Sequence, residues 1–325
     1  MTDKIKYLYG PVPSRRLGLS CGIDIVPLKV CTLNCVYCQL GRTAQTTIER
    51  KDYIPIEPVL AELKEALSEG MQTDYLTIAG SGEPTLNLRL GELIDGIKSF
   101  TDIPIAILTN GTLLYREDVR ADCAKADVVM PSLDAADEQT YQKINRPNRV
   151  LSIEKLIFGL CTFRKEFSGR IWLEVFFVEG INTSTEQIAG IKEAIELINP
   201  DKVQLNTAVR PTADPNIKRL TAEKLQEIAG RLGQKCEVVA DFSPAQSSIL
   251  NEKISGEMLK HHSAINRQAE ALLSMLKRRP CSLNDICTSM GINHNEAMKH
   301  ISVLQYQGLI QAENKEGTIF FKALS

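Results

Sequence analysis

Residues 30–41 read VCTLNCVYCQLG and place Cys31, Cys35 and Cys38 in a CxxxCxxC pattern. Three thiolates this close in sequence can hold a metal centre, but they do not complete the four-ligand set of a structural zinc site. An iron–sulfur cubane normally takes four cysteines, one for each iron. Three cysteines therefore leave one iron open to another ligand, which indicates chemistry rather than a structural role. A zinc knuckle is the alternative, although no second cysteine pair or histidine pair stands near the motif.

Around this motif, short apolar stretches alternate with amphipathic ones from about residue 20 to residue 240. The pattern predicts strands at Gly22–Leu28, Tyr75–Ala79, Pro104–Thr109, Asp127–Pro131, Ile171–Val178 and Lys202–Asn206, with a weaker one at Glu237–Ala240. It predicts helices at Val59–Glu69, Leu90–Phe100, Arg116–Ala124, Ile153–Glu166, Thr185–Ile198 and Thr221–Leu232. Such alternation is typical of crossover units around a parallel sheet whose two faces are covered. Because six units are too few for a closed eight-stranded barrel, we expect an α/β fold with a partial (β/α)6 parallel barrel, and a flat doubly wound sheet is the alternative.

Two loops of interest follow the first two predicted strands. The cysteine motif comes after the first strand, and residues 79–85, which read AGSGEPT, come after the second. In parallel βα folds, active sites gather at this C-terminal edge of the sheet. The small residues let backbone groups approach a ligand closely, and Glu83 adds an acceptor for an ammonium group.

Residues 266–325 change in character and predict a separate small domain. The pattern predicts a helix around Ala269–Leu276 that Pro280 ends, a second at Leu283–Met290, a third at Asn295–Gln307, and a hairpin of Leu309–Ala312 and Thr318–Lys322. This order is typical of a winged helix-turn-helix. We therefore expect domains at 1–241 and 266–325, joined by a connector at 242–265.

The third helix of that domain would present polar groups that can hydrogen-bond bases: Asn293, His294, Asn295, Lys299, His300 and Gln305. From Asn266 onward, however, seven basic residues face five acidic ones. Since phosphate neutralisation supplies most nucleic-acid affinity, this near-neutral balance slightly favours docking of a protein or peptide, with nucleic-acid binding left open.

The composition limits location and partners. A formal net charge of −2 gives the chain no general attraction to nucleic acid or to anionic membranes. No run approaches ~20 apolar residues, and the first ten residues lack an apolar signal core. We therefore expect a soluble, cytoplasmic protein with no membrane contact. The remaining cysteines, such as Cys123, Cys161 and Cys287, fall in helical stretches where core packing is the ordinary role.

The cysteine motif and the Gly-Glu segment one unit further along resemble the radical S-adenosylmethionine (SAM) superfamily. The resemblance implies a partial barrel of radical SAM type, in which Cys31, Cys35 and Cys38 hold one [4Fe–4S] cluster and SAM chelates the open iron. It implies that the cluster takes an electron from a donor such as flavodoxin or ferredoxin and splits SAM, and that the resulting 5′-deoxyadenosyl radical abstracts a substrate hydrogen. Gly82 and Glu83 would contact the methionyl amine. Four strand-end residues would line the ribose and carboxylate, each with an alternative as a turn or cap residue: Asn110, Ser132, Asp134 and Asn182.

A closer resemblance rests on residues 9–18 (YGPVPSRRLG), 22–24 (GID), 38–41 (CQLG), 145–147 (NRP) and 204–207 (QLNT). Together they are similar to iron–sulfur oxidoreductases related to tRNA wyosine-base synthases, over about residues 7–240. Those enzymes hold a second cluster with three further cysteines upstream of the radical site, whereas this chain has only Cys21 there. We therefore expect a single cluster, and true wyosine synthesis is in doubt.

Two hypotheses for the function of the whole chain follow. The first is a radical SAM enzyme whose C-terminal domain recruits a tRNA base, a protein or a peptide. The second is an iron–sulfur redox sensor that binds DNA, and the Gly82–Glu83 segment argues against it because a sensor needs no cosubstrate pocket. Five arginines near strand ends would form an anion-binding rim for substrate, unless they are solvated or paired with acids: Arg15, Arg16, Arg146, Arg149 and Arg210.

Overall fold

The computed structural model describes residues 7–240, 242 and 267–324. The connector expected at 242–265 lies, apart from Phe242, outside the described residues. None of the helices within the described ranges is long and apolar enough to cross a membrane.

One eight-stranded sheet forms the centre of the larger unit. Its strands are Leu8–Ser14 (β1), Gly18–Ile23 (β2), Tyr75–Ile78 (β3), Ile105–Leu108 (β4), Val128–Met130 (β5), Arg170–Phe177 (β6), Lys202–Thr207 (β7) and Cys236–Val238 (β8). They lie side by side in chain order; β2 to β8 run parallel, and β1 pairs antiparallel with β2. A doubly wound sheet reverses its strand order at a switch point. The unbroken order therefore excludes that alternative and agrees with a partial barrel left open between β1 and β8.

Seven helices follow the strands: Ile56–Ser68 (α1), Leu90–Lys98 (α2), Glu117–Cys123 (α3), Glu138–Ile144 (α4), Ile153–Glu166 (α5), Thr185–Ile198 (α6) and Ala222–Leu232 (α7). Side-chain oxygens of Asp137, Ser152, Ser184 and Thr221 accept hydrogen bonds from backbone N–H groups in the first turns of α4, α5, α6 and α7. Such caps satisfy donors that a helix cannot pair by itself. Each helix buries its apolar stripe against the sheet, and most contact the next helix along, so they form one outer layer.

The opposite face of the sheet has its own packing. Side chains alternate across a strand. Leu17, Ala106, Val128, Met130 and Trp172 accordingly form a cluster separate from the helix-facing core. This cluster fills the concave side of the sheet, as expected for a barrel interior rather than a solvent face.

The C-terminal unit contains three helices and a small antiparallel sheet. The elements are Arg267–Arg278 (α8), Cys281–Ser282 (β9), Leu283–Met290 (α9), His294–Tyr306 (α10), Ile310–Lys315 (β10) and Thr318–Ala323 (β11), and the strand order is β10-β11-β9. Ser282 and Asp285 form a capping box at the start of α9, and Gly291 ends that helix in the left-handed conformation. The three helices and the hairpin appear where the pattern predicts them, and β9 is additional.

The C-terminal unit packs on the larger one. Val12 of β1 contacts its apolar core. The loop after β7 provides polar contacts, since Arg210 Nη2 lies 2.9 Å from Asp285 Oδ1 and Arg219 pairs with Glu316. Lys315 Nζ also donates to the Arg210 carbonyl at 2.7 Å.

Candidate functional site

The three cysteines lie on the long loop between β2 and α1, at the C-terminal edge of the sheet. Two backbone hydrogen bonds fasten this loop to the end of α4. Asn34 N donates to Asn145 O at 3.0 Å, and Val36 N donates to Ile144 O at 2.9 Å. The ends of neighbouring strands and helices therefore fix the loop, as its position in the chain predicts.

Amide donors reach two of the thiols. Asn145 Nδ2 lies 3.5 Å from Cys35 Sγ, and Asn110 Nδ2 lies 3.6 Å from Cys31 Sγ. Donors of this kind stabilise sulfur that carries negative charge. Asn110 also donates to Thr32 Oγ1 at 2.7 Å, which holds its amide in place beside the sulfur.

Two of the three thiols, those of Cys31 and Cys35, have pKa values above the ordinary range of cysteine. Burial raises the pKa of Cys31 to about 12, with the carboxylate of Glu83 acting in the same direction. Burial, followed by the charge of Cys31, holds the pKa of Cys35 well above its usual range. No three His, Cys, Asp or Glu side chains in the described part of the chain converge where one metal ion would sit. A cubane needs no such convergence, because each thiolate binds its own iron.

Lys29 provides a test of whether a charged cluster fits here. Its Nζ is buried and has no hydrogen-bond partner among the described residues. Burial lowers the pKa of Lys29, and the nearby Cys38 and Cys31 oppose that shift. Its backbone φ of 68° lies in the left-handed region that side-chain-bearing residues rarely adopt. Thiolates and an anionic cluster supply the counter-charge that this ammonium lacks, so the residues present fit a [4Fe–4S] cluster.

The glycine-rich loop after β3 lies directly against the cysteine loop. Ser81 O accepts from Lys29 N at 2.7 Å, and Glu83 N donates to Val30 O at 2.9 Å. A Cβ on Gly82 would lie 2.9 Å from the Val30 carbonyl carbon and nearer still to its oxygen. Only glycine allows this approach. Within the described residues the Gly82 carbonyl accepts no hydrogen bond, so it is an open acceptor beside the cysteines.

The carboxylate of Glu83 is turned inward. Its side chain is buried, and Oε1 accepts from Thr85 Oγ1 and Thr109 Oγ1, both at 2.6 Å, while Oε2 accepts from Asn110 N at 2.7 Å. Burial raises the pKa of Glu83, and these four donors, which include Thr85 N, oppose the shift. Glu83 thus ties the loop after β3 to the loop after β4. Both carboxylate oxygens of Glu83 accept hydrogen bonds from protein donors.

Asp134 lies in a buried cluster behind Cys35. Its Oδ2 accepts from Asn145 Nδ2 at 2.7 Å and from the Tyr37 hydroxyl, and its Oδ1 accepts from Phe176 N at 2.8 Å. The Tyr37 ring stacks on Phe176 with centroids 3.9 Å apart. Burial raises the pKa of Asp134 to about 6, against the hydrogen bonds it accepts. The geometry makes Asp134 a brace for the cysteine loop.

Asn182 and Ser132 have different surroundings at this edge of the sheet. Asn182 is fully buried; its Oδ1 accepts from Val178 N, and its Nδ2 donates to Asp134 O and Phe176 O, each at 2.8 Å. These bonds use the amide of Asn182 to hold the loop after β6. Ser132 is partly exposed beside β6, where it forms an isolated bridge with Glu174.

Three of the five arginines pair with carboxylates at separate places. Arg16 points into the barrel and pairs with Glu174 at 2.5 Å, and Asn206 donates to the same carboxylate at 3.0 Å. Arg146 lies 3.4 Å from Asp214, and Arg210 belongs to the contact with the C-terminal unit. A cavity of about 460 Å³ does lie at the open side of the barrel, lined by residues that include Arg15, Arg16, Lys202 and Glu237. The basic side chains that line this cavity lie near carboxylates.

Sequence reasoning missed three contributors to this site: Lys29, Asp24 and Thr109. Each acts through a contact between segments far apart in the chain, and of the three only Asp24 belongs to a segment, GID, on which the resemblance rests. Asn145 had a signal, because it belongs to the NRP segment that the sequence comparison singles out.

Comparisons with known proteins agree on the family. The sequence profile of the Radical SAM superfamily matches residues 25–198. The UPF0026 protein MJ1312 of Methanocaldococcus jannaschii is 34% identical over 309 residues, which cover 93% of this chain and 94% of that protein. A protein of Brachyspira hyodysenteriae named GTPase Obg is 37% identical over 318 residues; these cover 98% of this chain but only 45% of that protein. The present chain has no GxxxxGK[ST] phosphate loop.

Solved structures agree on the fold. A structure of TYW1 with a lysine–pyruvate adduct bound has a TM-score of 0.52 and 21% identity, covering 71% of this chain and 78% of that one. A structure of Streptococcus suis SuiB bound to S-adenosylmethionine has a TM-score of 0.52 and 17% identity, covering 72% of this chain and 53% of that one. At these identities the likeness concerns the fold alone.

Proposed function

The chain belongs to the radical SAM superfamily and is an enzyme whose cofactors are a [4Fe–4S] cluster and SAM, and we propose that Cys31, Cys35 and Cys38 hold that cluster. One observation supports this assignment: the buried ammonium of Lys29, which has no hydrogen-bond partner in the part of the chain that the structure describes, lies near Cys38 and Cys31. A neutral thiol cluster gives that charge no partner, whereas a bound anionic cluster does.

The chain's own residues would bind and orient SAM at the open edge. We propose that the Gly82 carbonyl accepts a hydrogen bond from the methionyl amine of SAM. The Glu83 carboxylate would hold the loop in place through the hydrogen bonds that it accepts from the loop after β4. Asn110 and Ser132 stand at the adjacent strand ends, where a ribose or carboxylate would lie. When bound, the cluster supplies one electron that splits SAM into methionine and a 5′-deoxyadenosyl radical, which abstracts a substrate hydrogen.

Substrate specificity would come from the barrel interior. Along β6, Glu174 lies two residues before Phe176, so its side chain sits about 7 Å further down the concave face than the Tyr37–Phe176 stack. Arg16, Glu174 and Asn206 form a polar layer there, above the apolar floor around Trp172. We propose that this layer contacts the substrate group whose C–H bond faces the radical carbon.

We infer that the C-terminal unit is a winged helix-turn-helix that presents a substrate, either a protein or peptide or a tRNA. Its third helix offers less to bases than the sequence suggests. His300 is buried, the Asn293 side chain caps α10, and His294 Nε2 lies 2.9 Å from Asn284 Oδ1. Lys299 and Gln305 remain exposed. This favours docking of a protein or peptide over a DNA-binding regulator. Electrons would come from a small carrier such as flavodoxin or ferredoxin.

Iron and sulfide analysis tests the cluster assignment. After anaerobic reconstitution, the protein should carry about four irons per chain, one cubane, since Cys21 is buried in the apolar core and cannot start a second cluster without unfolding β2. Cys35→Ala should lose this iron. Cys161→Ala, which changes a cysteine on α5, is the matched control and should keep it. Equal iron in both variants would refute the assignment.

A further inference from the structure

A buried carboxylate lies under the glycine-rich loop. Asp24 follows β2, and both of its oxygens accept from Ser81 N at 3.2 Å, while Oδ2 also accepts from Ser81 Oγ at 2.5 Å. Gly80 adopts φ +141°, and a Cβ there would lie 2.6 Å from Asp24 Cγ. The glycine-rich loop therefore packs directly against the Asp24 carboxylate, so a shift of the carboxylate would also shift the loop.

The cation that faces Asp24 comes from the C-terminal unit. Arg278 closes α8, and its Nε lies 3.4 Å from Asp24 Oδ2. The two side chains are 11% and 8% exposed, so water screens their attraction poorly. Arg278 Nη1 donates to Ser274 O at 2.7 Å and to Ser274 Oγ at 2.5 Å. These bonds fix the guanidinium to its own helix, and within the described residues Nε has no aligned hydrogen-bond acceptor. The contact with Asp24 is thus an ion pair of two charges held by separate units.

The Tyr9 ring packs beside the contact between Arg278 and Asp24. The guanidinium of Arg278 lies 4.4 Å from the centroid of the Tyr9 ring, a cation–π distance. The ring lies so close over Gly22 that a Cβ there would overlap its atoms. Burial raises the pKa of Tyr9 to about 12 in spite of the adjacent Arg278, so its hydroxyl stays neutral. Tyr9 therefore packs between β2 and α8 without adding charge to the pair.

We propose that docking of the C-terminal unit sets the affinity for SAM, because Arg278 holds Asp24, and Asp24 holds the loop of residues 80–82. The inference rests on the proposed role of Gly82 in binding SAM. When the unit moves away, the Asp24 carboxylate loses its only described cationic contact in a poorly hydrated place, and the loop must shift to let water reach it. By linkage, a bound SAM must favour the docked unit by the same factor, so whatever the unit binds can regulate the cofactor site.

The first test is SAM affinity of the anaerobically reconstituted full chain, measured by equilibrium dialysis. Arg278→Met keeps the apolar stem and removes the charge; we expect SAM to bind about tenfold more weakly, with iron content unchanged, which corresponds to about 1.4 kcal/mol. Arg219→Met is the matched control, because it removes the ion pair with Glu316 at the same contact without touching Asp24. It should change the affinity less than twofold. Equal loss in both variants would overturn the role of the Arg278–Asp24 pair, since loss of any contact between the two units would then have the same effect on SAM affinity.

A double-mutant cycle and hydrogen exchange make the test specific. Asp24→Asn should weaken SAM binding, and Arg278→Met added to it should cost little more; additive losses would contradict the coupling. SAM should slow amide exchange in α8 of the wild type but not of Arg278→Met. Should Arg278→Met fail to fold, Arg278→Lys, which keeps the charge with a shorter reach, should give an intermediate affinity. If Gly82→Ala weakens SAM binding and Arg278→Met does not, the coupling alone is refuted; if neither does, the cofactor assignment fails first.

Discussion

Gly82→Ala is the sharpest probe of the cofactor site, because the structure leaves no room for a methyl group at this position. The added Cβ would lie 2.9 Å from the Val30 carbonyl carbon and 3.1 Å from Val26 Cγ2, and both neighbours are packed. Residues 29–30 and 81–83 are joined by backbone hydrogen bonds of 2.7 and 2.9 Å, so the two loops cannot part without losing them. Forcing a methyl group into a packed contact costs about 1 to 3 kcal/mol.

Most of that cost should appear as lost SAM affinity, because the loop carrying the open carbonyl is the part free to move. We expect the dissociation constant for SAM to rise about 10- to 100-fold, equivalent to about 1.4 to 2.8 kcal/mol. Equilibrium dialysis on reconstituted protein measures this dissociation constant. Iron analysis shows whether only the glycine-rich loop moves away from Val30 or whether Cys31 is displaced as well. Loss of iron would mean that the cysteine loop yields instead.

Gly230→Ala is the matched control. Gly230 lies within α7, and a Cβ there meets nothing within 4 Å. Replacing a helical glycine with alanine should leave SAM binding unchanged and add up to about 1 kcal/mol of stability. If Gly82→Ala bound SAM within twofold of the wild type while keeping its iron, the proposed role of Gly82 in binding SAM would be refuted.

Two further substitutions test the braces around the site. Tyr37→Phe removes the hydroxyl that donates to Asp134, so urea unfolding should show a loss of about 1 to 3 kcal/mol, with an unchanged transition counting against the brace. Arg50→Met removes a guanidinium that is 3% exposed, pairs with the half-exposed Asp118 and donates to the Thr85 and Asn87 carbonyls, and it should cost about 1 to 3 kcal/mol because those carbonyls lose their donor. Although burial alone would raise the pKa of Asp118, hydrogen bonds from Arg116 and Arg50 lower it to about 2, so this carboxylate stabilises the fold above about pH 4 and less as pH falls toward 2. Arg50→Met should flatten part of that acid dependence of the unfolding free energy.

Helices could be predicted where a capping residue directly precedes the apolar stripe in the sequence. Two helices, α5 and α6, begin and end where the sequence places them, because Ser152 and Ser184 are capping residues directly before the apolar stripe. By contrast, β1 was missed because Pro11 and Pro13 indicate a loop, and proline is tolerated only because this strand lies at the sheet edge. Helix α4, with seven residues, is too short to show a helical period.

The motifs of the site could be predicted from the sequence, whereas several of its side-chain contacts could not. The cysteine spacing and the glycine-rich segment place both loops correctly at one edge of the sheet. The direction of the Glu83 carboxylate could not be predicted, since it depends on Thr109, which directly follows β4. The same holds for Arg16 and Glu174, whose pairing joins residues 158 positions apart. Contacts of this range follow from the packed fold and leave no local pattern in the sequence.

We propose that this chain holds a cluster and SAM at one edge of the barrel and uses them together. The most direct measurement is the 5′-deoxyadenosine released from SAM by anaerobically reconstituted protein with dithionite. We predict release by the wild type and by Cys161→Ala, and none by Cys35→Ala. A wild-type protein that carries about four irons per chain, binds SAM and releases no 5′-deoxyadenosine would contradict the claim.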